Sequence, residues 1–179
     1  MRCLKTQLSG VLIIEPKIFG DSRGFFKETF QTQRYREVGI EYNFVQDNHS
    51  RSQKGVLRGL HFQVTKPQGK LVSCSQGAVF DVVVDVNPLS ATFGQHVSVE
   101  LTEENHIQLW VPPGYAHGFC VLTDTADFQY KCTDYYDPSD ESGVIWNDPD
   151  LAIEWPIDQP LLSDKDAKLP LLKELASHL

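Results

Sequence analysis

The feature of this sequence that most restricts its fold is the regular interruption of short, β-branched and aromatic segments by turn residues. Gly, Pro, Asn or Asp separates most of these segments, as in Asn87-Pro88 and Pro112-Pro113-Gly114. Many short strands at this spacing indicate an all-β sandwich or barrel, because a parallel βαβ array would need a helix between successive strands. The pattern predicts strands over residues 11–14, 25–30, 44–47, 56–63, 70–75, 78–86, 96–101, 108–111, 118–122 and 128–135.

Helical signals are few and lie in two places. Residues 32–38 are followed by Gly39, a residue favoured just after a helix end, and residues 168–178 are predicted to form a closing helix. No internal repeat, low-complexity segment or linker divides the chain. Its 179 residues are enough for one well-buried core but not comfortably for two. We therefore expect a single mainly β domain over residues 1–179.

Charge and cysteine usage exclude several classes of protein. The net charge of -8 is not offset by any basic tract, which argues against a nucleic-acid partner. The four cysteines form no CxxC pair, so they are interpreted as reduced thiols of a cytosolic protein. No apolar leader or span-length segment is present, so we expect no membrane association and a cytoplasmic location.

Three strand-like segments supply side chains for acid–base chemistry. RGLHFQ (58–63), QGK (68–70) and FQYK (128–131) contribute His61, the cations Arg58 and Lys70, and Tyr130. A base, an electrophilic cation and a phenolic acid are what proton exchange next to a carbonyl requires. Taken singly, each residue is more often structural: a histidine in an apolar strand is usually a hydrogen-bonded core residue, and a strand tyrosine usually packs.

The alternation of side chains across a strand predicts which polar groups share a face. Tyr130 and Tyr136 have the same parity, so both rings would point the same way if the strand continues that far. Asp81 lies in a strand whose opposite face is wholly apolar, and a buried carboxylate there needs a partner. His117, one strand away, is the partner that parity allows.

Arg58 and His61 have opposite parities, although both belong to the acid–base set. Gly59 lies between them and predicts a β-bulge that would turn both side chains inward.

The segment Pro112-x-Gly114-x-x-His117 resembles the second histidine motif of the cupin superfamily. Cupins often bind a metal through a His-x-His pair in their first motif, but the corresponding segment reads His61-Phe62-Gln63. Two histidines without a carboxylate in register make a poor metal site. We therefore expect neither a metal nor another cofactor.

Longer motifs extend this resemblance over almost the whole chain. In order, they resemble the dTDP-4-dehydrorhamnose 3,5-epimerase family in GDSRGFFKE (20–28), QDNHS (46–50), VLRGLHFQ (56–63), QGKLV (68–72), VFDV (79–82), WVPPGYAHGF (110–119), IWND (145–148) and LSDKDA (162–167). Several consecutive multi-residue matches are far more specific than any single motif.

The resemblance implies a metal-free, cupin-type jelly-roll β-barrel with a few short helices, assembled as a homodimer that exchanges strands. It implies an isomerase acting on dTDP-4-dehydro-6-deoxy-D-glucose on the way to dTDP-L-rhamnose. His61 would be the base, Tyr130 the acid on the opposite face, Asp166 the partner of His61, and Lys70 the stabiliser of the enolate oxygen. Substrate-contacting positions would be Arg23, Glu28, Gln46, Asp47, Asn48, Arg58, His117, Tyr136, Glu141 and Lys165, with Tyr136 stacking on thymine.

Three alternatives stay open at this point. Relatives that act at C3 or C5 alone retain much the same motifs, so one or both carbons could be inverted. A metal-dependent cupin oxygenase is disfavoured by the missing second histidine. A non-catalytic nucleotide-sugar-binding cupin would not need His61, Lys70, Tyr130 and Asp166 together.

Overall fold

The structure is a computed structural model and describes residues 1–175. Within them lie thirteen strands, two α-helices and one 3-10 helix. Their bounds are β1 Arg2–Lys5, β2 Leu12–Glu15, β3 Ile18–Asp21, β4 Gly24–Lys27, α1 Thr32–Glu37, β5 Gln46–Gln53, β6 Leu57–Gln63, β7 Lys70–Gln76, β8 Ala78–Asp85, β9 His96–Thr102, β10 Gln108–Val111, β11 Tyr115–Val121, β12 Thr125–Cys132, β13 Glu141–Gly143, the 3-10 helix Asp166–Lys168 and α2 Leu172–Leu175.

Two antiparallel sheets form the body of the molecule. One has six strands in the order β1-β2-β10-β7-β12-β5, and the other has five in the order β13-β6-β11-β8-β9. Among residues 1–175, strands β3 and β4 pair only with each other, as a separate hairpin. The prediction of a mainly β, cupin-type jelly roll with few short helices is confirmed, although within residues 1–175 the two sheets stay separate and do not close into a continuous barrel.

The main core lies between the two sheets. Val72 and Phe128 of the six-stranded sheet meet Val83 and Phe119 of the five-stranded sheet, and the rings of Phe119 and Phe128 stack with centroids 4.1 Å apart. The outer face of the five-stranded sheet is covered by the C-terminal segment, and the outer face of the six-stranded sheet by α1 and the residues after it. Burial on both faces explains why β8 is apolar at nearly every position.

Strand β5 differs from its prediction. It runs over Gln46–Gln53 and pairs with β12 along its whole length, whereas the sequence indicated a strand only over residues 44–47. Its inward residues are polar, because they face a cavity and not the apolar core. The hydrophobic alternation that reveals a strand in sequence is therefore missing.

Two further expectations need correction. Strand β12 ends at Cys132 and not at residue 135, so the condition for a strand face shared by Tyr130 and Tyr136 is not met. The predicted closing helix is divided into the 3-10 helix and α2, because Pro170 cannot continue a helix; residues 176–178 of that prediction lie outside the described residues. Between residues 1 and 175, no helix is both long and apolar enough to cross a membrane.

Candidate active site

A cavity of about 620 Å³ opens at one end of the space between the sheets. It brings together all four predicted catalytic residues and seven of the ten predicted substrate-contacting ones. These eleven residues are His61, Lys70, Tyr130, Asp166, Gln46, Asn48, Arg58, His117, Tyr136, Glu141 and Lys165.

The two walls of the cavity come from different sheets. His61 lies on β6 and His117 on β11, and the two are register partners in the five-stranded sheet. Lys70 begins β7 and Tyr130 lies on β12, both in the six-stranded sheet. His61 and Tyr130 therefore approach a molecule in the cavity from opposite sides.

A β-bulge in β6 lets Arg58 and His61 face the same cavity. Between the pairs His61/His117 and Arg58/Phe119, β6 has one residue more than β11. Gly59 occupies the bulge with a positive φ of 126°, a conformation that favours glycine. The predicted bulge is therefore confirmed.

His61 is paired with a buried carboxylate that comes from the C-terminal segment. The distance from His61 Nε2 to Asp166 Oδ1 is 2.6 Å, and Asp166 is only 4% exposed. The main chain of Leu161 bonds to Leu57 and Gly55, which ties this segment to the start of β6. Burial raises the pKa of Asp166, but the hydrogen bond and charge of His61 outweigh it, so the pKa lies below its ordinary value.

Glu141 connects His61 with the mouth of the cavity. Its Oε1 lies 3.5 Å from His61 Nδ1, and its Oε2 accepts hydrogen bonds from the Tyr136 hydroxyl at 2.7 Å and from Lys165 Nζ. Burial opposes ionisation of Glu141, yet the bonds from Lys165 and Tyr136 keep its pKa below the ordinary value. The same bond to Glu141, together with burial, raises the pKa of Tyr136 to about 12.

Lys70 and Tyr130 are both desolvated. Burial lowers the pKa of Lys70, and the nearby Cys132, Glu141 and Asp81 partly offset this effect. Burial raises the pKa of Tyr130, so its phenol keeps its proton. The cavity thus combines a cation of reduced hydration, a protonated phenol and a histidine backed by a carboxylate.

His117 is held by Asp81, as parity suggested. His117 Nε2 lies 2.9 and 3.0 Å from the two carboxylate oxygens of Asp81, which is fully buried. Because His61 and His117 bind different carboxylates, their rings are fixed separately. Among the residues that the structure describes, no three His, Cys, Asp or Glu side chains form a group that could hold a metal ion.

Comparison with known proteins shows the family to which this chain belongs. The family model described as dTDP-4-dehydrorhamnose 3,5-epimerase matches residues 5–174. The chain belongs to the dTDP-4-dehydrorhamnose 3,5-epimerase family. The curated dTDP-4-dehydrorhamnose 3,5-epimerase of Salmonella typhimurium is 55% identical over 177 residues, which are 97% of each chain.

Two other relatives of this epimerase-family chain are informative. A crystal structure of dTDP-6-deoxy-D-glucose-3,5-epimerase from Legionella pneumophila, in complex with dTDP-4-keto-L-rhamnose, superimposes with a TM-score of 0.96 at 56% identity, covering 99% of this chain and 95% of that one. A dTDP-4-dehydrorhamnose 3-epimerase from Streptomyces niveus is 40% identical over 97% of this chain and 85% of its own.

Three residues predicted for the epimerase site lie outside the cavity of this chain. Asp47 points to the outer face of β5, where Lys131 Nζ donates to it at 2.9 Å. Arg23 lies on the β3–β4 hairpin beside Asp21, and Glu28 accepts from Arg34 at 2.8 Å. Asp47 alternates with Gln46 and Asn48, so a strand that turns those two inward must turn Asp47 outward.

Sequence reasoning missed four polar side chains that line the cavity or support it: Ser50, Ser52, Gln63 and Gln68. The Arg58 guanidinium donates to Ser52 Oγ at 3.0 and 3.1 Å, and these bonds fix the Arg58 side chain at the cavity. The alternation of small polar residues along β5 was a signal for Ser50 and Ser52, since a strand polar on both faces is unusual between packed sheets.

Proposed function

We propose that this chain inverts C3 and C5 of dTDP-4-dehydro-6-deoxy-D-glucose and so forms dTDP-4-dehydro-L-rhamnose for dTDP-L-rhamnose biosynthesis. The observation that carries the proposal is the placement of His61 and Tyr130 on opposite walls of one cavity that also holds Lys70. Inversion requires proton removal on one face of the sugar and proton return on the other, which two opposed side chains can perform.

The C4 ketone makes both carbons reactive. C3 and C5 each adjoin C4, so removal of either proton leaves an enolate whose negative charge resides on the C4 oxygen. We assign Lys70 to that oxygen, because a fixed cation with little hydration stabilises developing charge much better than water does. No step needs a metal or another cofactor.

We assign His61 as the base. In accepting the proton it becomes an imidazolium, and Asp166, ionised and 2.6 Å from Nε2, stabilises that charge and leaves Nδ1 as the reacting nitrogen. Tyr130 then donates its phenolic proton to the opposite face and recovers one from solvent. Its raised pKa keeps that proton available before each turnover.

The rest of the cavity suits a nucleotide diphosphate. Arg58 and Lys165 supply positive charge to a chain whose net charge is -8, and guanidinium groups bind phosphate oxygens in pairs. Tyr136 lies at the mouth with its ring half exposed, where we assign it to stack on thymine. Gln46, Asn48, His117 and Glu141 are assigned to the sugar and nucleotide.

We also propose that the active form is a homodimer in which each cavity is completed by its neighbour. The β3–β4 hairpin pairs with no other strand of the part of the chain that the structure describes, and it exposes Phe19, Phe25 and Phe26, which are 52, 58 and 67% accessible. An isolated hairpin is only marginally stable, and a contiguous exposed apolar patch marks an interface. The partner's hairpin would bring Arg23 and Glu28 to this cavity.

Subunit complementation tests the dimer. His61→Ala and Arg23→Glu variants are each expected to have little activity. When mixed and allowed to exchange, they should regain activity, because one of the two sites in a hybrid has an intact His61 from one subunit and an intact Arg23 from the other. A monomer in solution at working concentration, or mixtures no more active than their parts, would refute the shared site.

We further propose a single domain over residues 1–179 and a cytoplasmic location. The single domain is supported by the hydrophobic cores, which share the two sheets. The location is supported by the four cysteines, all of which lie in the described residues and form no disulfide.

The test of the reaction is solvent exchange. The chain is incubated with dTDP-4-dehydro-6-deoxy-D-glucose in deuterium oxide, and C3 and C5 are followed by NMR. We expect deuterium at both carbons, no exchange with His61→Ala, and normal exchange with His96→Ala, a histidine on β9 away from the cavity. Absence of exchange in the wild type would overturn the epimerase proposal.

A second candidate is a single-carbon epimerase of another dTDP-deoxysugar pathway. The 40% identity to a curated 3-epimerase favours keeping it, because that protein shares the family but acts at one carbon by name. Deuterium at C3 alone, with a product inverted at one centre, would establish this alternative.

A further inference from the structure

The turn that carries Tyr136 is held by glutamine side chains and not by a neighbouring strand. Strand β12 ends at Cys132, and residues 133–137 then cross the mouth of the cavity outside the sheets. A segment without strand pairing normally leaves its main-chain groups to water and moves readily. In this turn, glutamines bind one main-chain group of each of four consecutive residues.

The contacts come from three separate parts of the chain. They are Gln68 Nε2 to Asp134 O at 2.7 Å, Gln63 Nε2 to Tyr135 O at 3.3 Å, Tyr136 N to Gln46 Oε1 at 3.0 Å, and Asp137 N to Gln63 Oε1 at 2.8 Å. We call Gln46, Gln63 and Gln68 the glutamine clamp.

Gln63 is the centre of the clamp. It is 4% exposed, and its amide also donates to Lys66 O at 2.8 Å, so it ties the loop after β6 to the turn after β12. Both of its amide hydrogens and its carbonyl oxygen are therefore engaged with main chain. The side chain at the position of a cupin's second metal ligand is thus used for holding backbone.

Tyr136 depends on this turn for its position. Its side chain is half exposed and its hydroxyl reaches Glu141 Oε2 at 2.7 Å, so the ring is held at one end by Glu141 and at the other by the clamped main chain. Rotation of the turn would move the ring away from the cavity while leaving His61, Lys70 and Tyr130 in place on their strands.

We propose that Gln63 and Gln68 are positioning residues that fix Tyr136 over the cavity and thereby set the affinity for the nucleotide end of the substrate. The inference rests on the proposed function, in which Tyr136 stacks on the thymine base. Fixing the turn before binding means that its ordering entropy is not lost when the ligand arrives, which strengthens binding without any new contact.

The test uses Gln→Met substitutions, which keep side-chain length and remove hydrogen bonding. Gln63→Met and Gln68→Met are compared with Gln129→Met, a glutamine on the outer face of β12. Calorimetry gives the Kd of dTDP and of inorganic pyrophosphate, and solvent exchange gives kcat and KM. We expect Gln63→Met to raise both the Kd of dTDP and the KM about tenfold. A tenfold change corresponds to part of the free energy of the two to three ordinary hydrogen bonds that this variant loses. Gln68→Met should change both values less.

Two readouts separate positioning from general destabilisation. The kcat should stay within about threefold of wild type and pyrophosphate affinity within about twofold, because neither requires the base to stack. In a double-mutant cycle, Gln63→Met should change dTDP affinity by less than about twofold once Tyr136 is already alanine. NMR exchange of the Asp137 amide hydrogen should accelerate in Gln63→Met and stay unchanged in Gln129→Met.

Several outcomes would overturn the clamp: additive effects in the cycle, an equal loss of pyrophosphate affinity, or unchanged dTDP affinity in both variants. If Gln63→Met does not fold, Gln68→Met decides the matter, since it loses a single hydrogen bond. Failure of the epimerase proposal is recognised separately, because wild-type protein would then show no deuterium at C3 or C5 while the dTDP measurements still test the clamp.

Discussion

Replacement of Asp166 by asparagine removes one negative charge behind His61 and leaves the shape of the pair almost unchanged. The carboxylate is buried and lies 2.6 Å from His61 Nε2, and the backbone N–H of Asp166 donates to Ser163 Oγ at 3.1 Å. An asparagine oxygen can still accept from Nε2–H, so the ring should keep its orientation. What the variant loses is the ionic part of the bond.

The size of the loss follows from the strength of that bond. A hydrogen bond to a charged group contributes about 1.5–3 kcal/mol, and His61 carries positive charge only after it has taken the substrate proton. The bond that asparagine keeps is worth about 0.5–1.5 kcal/mol, so the ionic part that is lost is about 1–1.5 kcal/mol and kcat should fall roughly 5- to 13-fold, since about 1.4 kcal/mol corresponds to a factor of ten. KM should change little, because Asp166 lies behind the base.

The assay is the rate of deuterium entry at C3 and C5 in saturating substrate. Asp164→Asn is the matched control, since it is the same change two residues away at an exposed position. A kcat of Asp166→Asn within about threefold of wild type, or an equal effect of Asp164→Asn, would refute the assignment of Asp166 as the charge partner of His61.

Three other predictions follow from the same geometry. Lys70→Met should lower exchange at C3 and C5 together, by about 10²- to 10³-fold, because both enolates use one oxygen; loss at a single carbon would contradict this. Folding lowers the pKa of Asp166, so the ionised carboxylate stabilises the folded state above about pH 4. This stabilisation is lost as the pH falls through the lower pKa of the folded state. Urea unfolding should therefore show a larger loss of stability between about pH 6 and pH 3 in wild type than in Asp166→Asn. Gly59→Ala should reduce the free energy of unfolding by about 3 kcal/mol or more, since its Cβ would lie 2.5 Å from Gly118 Cα at a positive φ. The control Gly39→Ala also has a positive φ but meets nothing within 4 Å, so it should reduce the free energy of unfolding by only about 1 kcal/mol. Equal losses in urea unfolding would show that the contact with Gly118 is unimportant.

The sequence predicted best those parts of the fold whose pattern is hydrophobic. Strands β7, β8 and β10 appear close to their predicted bounds, because each packs apolar side chains on the main core. Strand β5 was predicted too short, since its inward side chains face the cavity and are polar. Strands β1, β3 and β13 were missed, because β1 and β3 have no fully buried residue and β13 has only three residues.

Within the site, local spacing predicted the bulge at Gly59 and the pairing of Asp81 with His117. It could not predict that Tyr136 would leave the sheet, since nothing in the segment 128–135 marks the end of β12 at Cys132. Nor could it predict that the glutamines at 63 and 68 bind the turn of Tyr136, because those contacts span more than sixty positions in sequence.

The sequence by itself determined the chemistry of this protein: a histidine, a lysine, a tyrosine and an aspartate within motifs that place it in an epimerase family. Tertiary structure alone decided their geometry. The alternation of side chains specifies the two faces of a strand, but which face meets which wall depends on pairings between distant segments. His61 and Asp166 are 105 residues apart in the chain, and only the docking of the C-terminal segment on β6 brings them into contact.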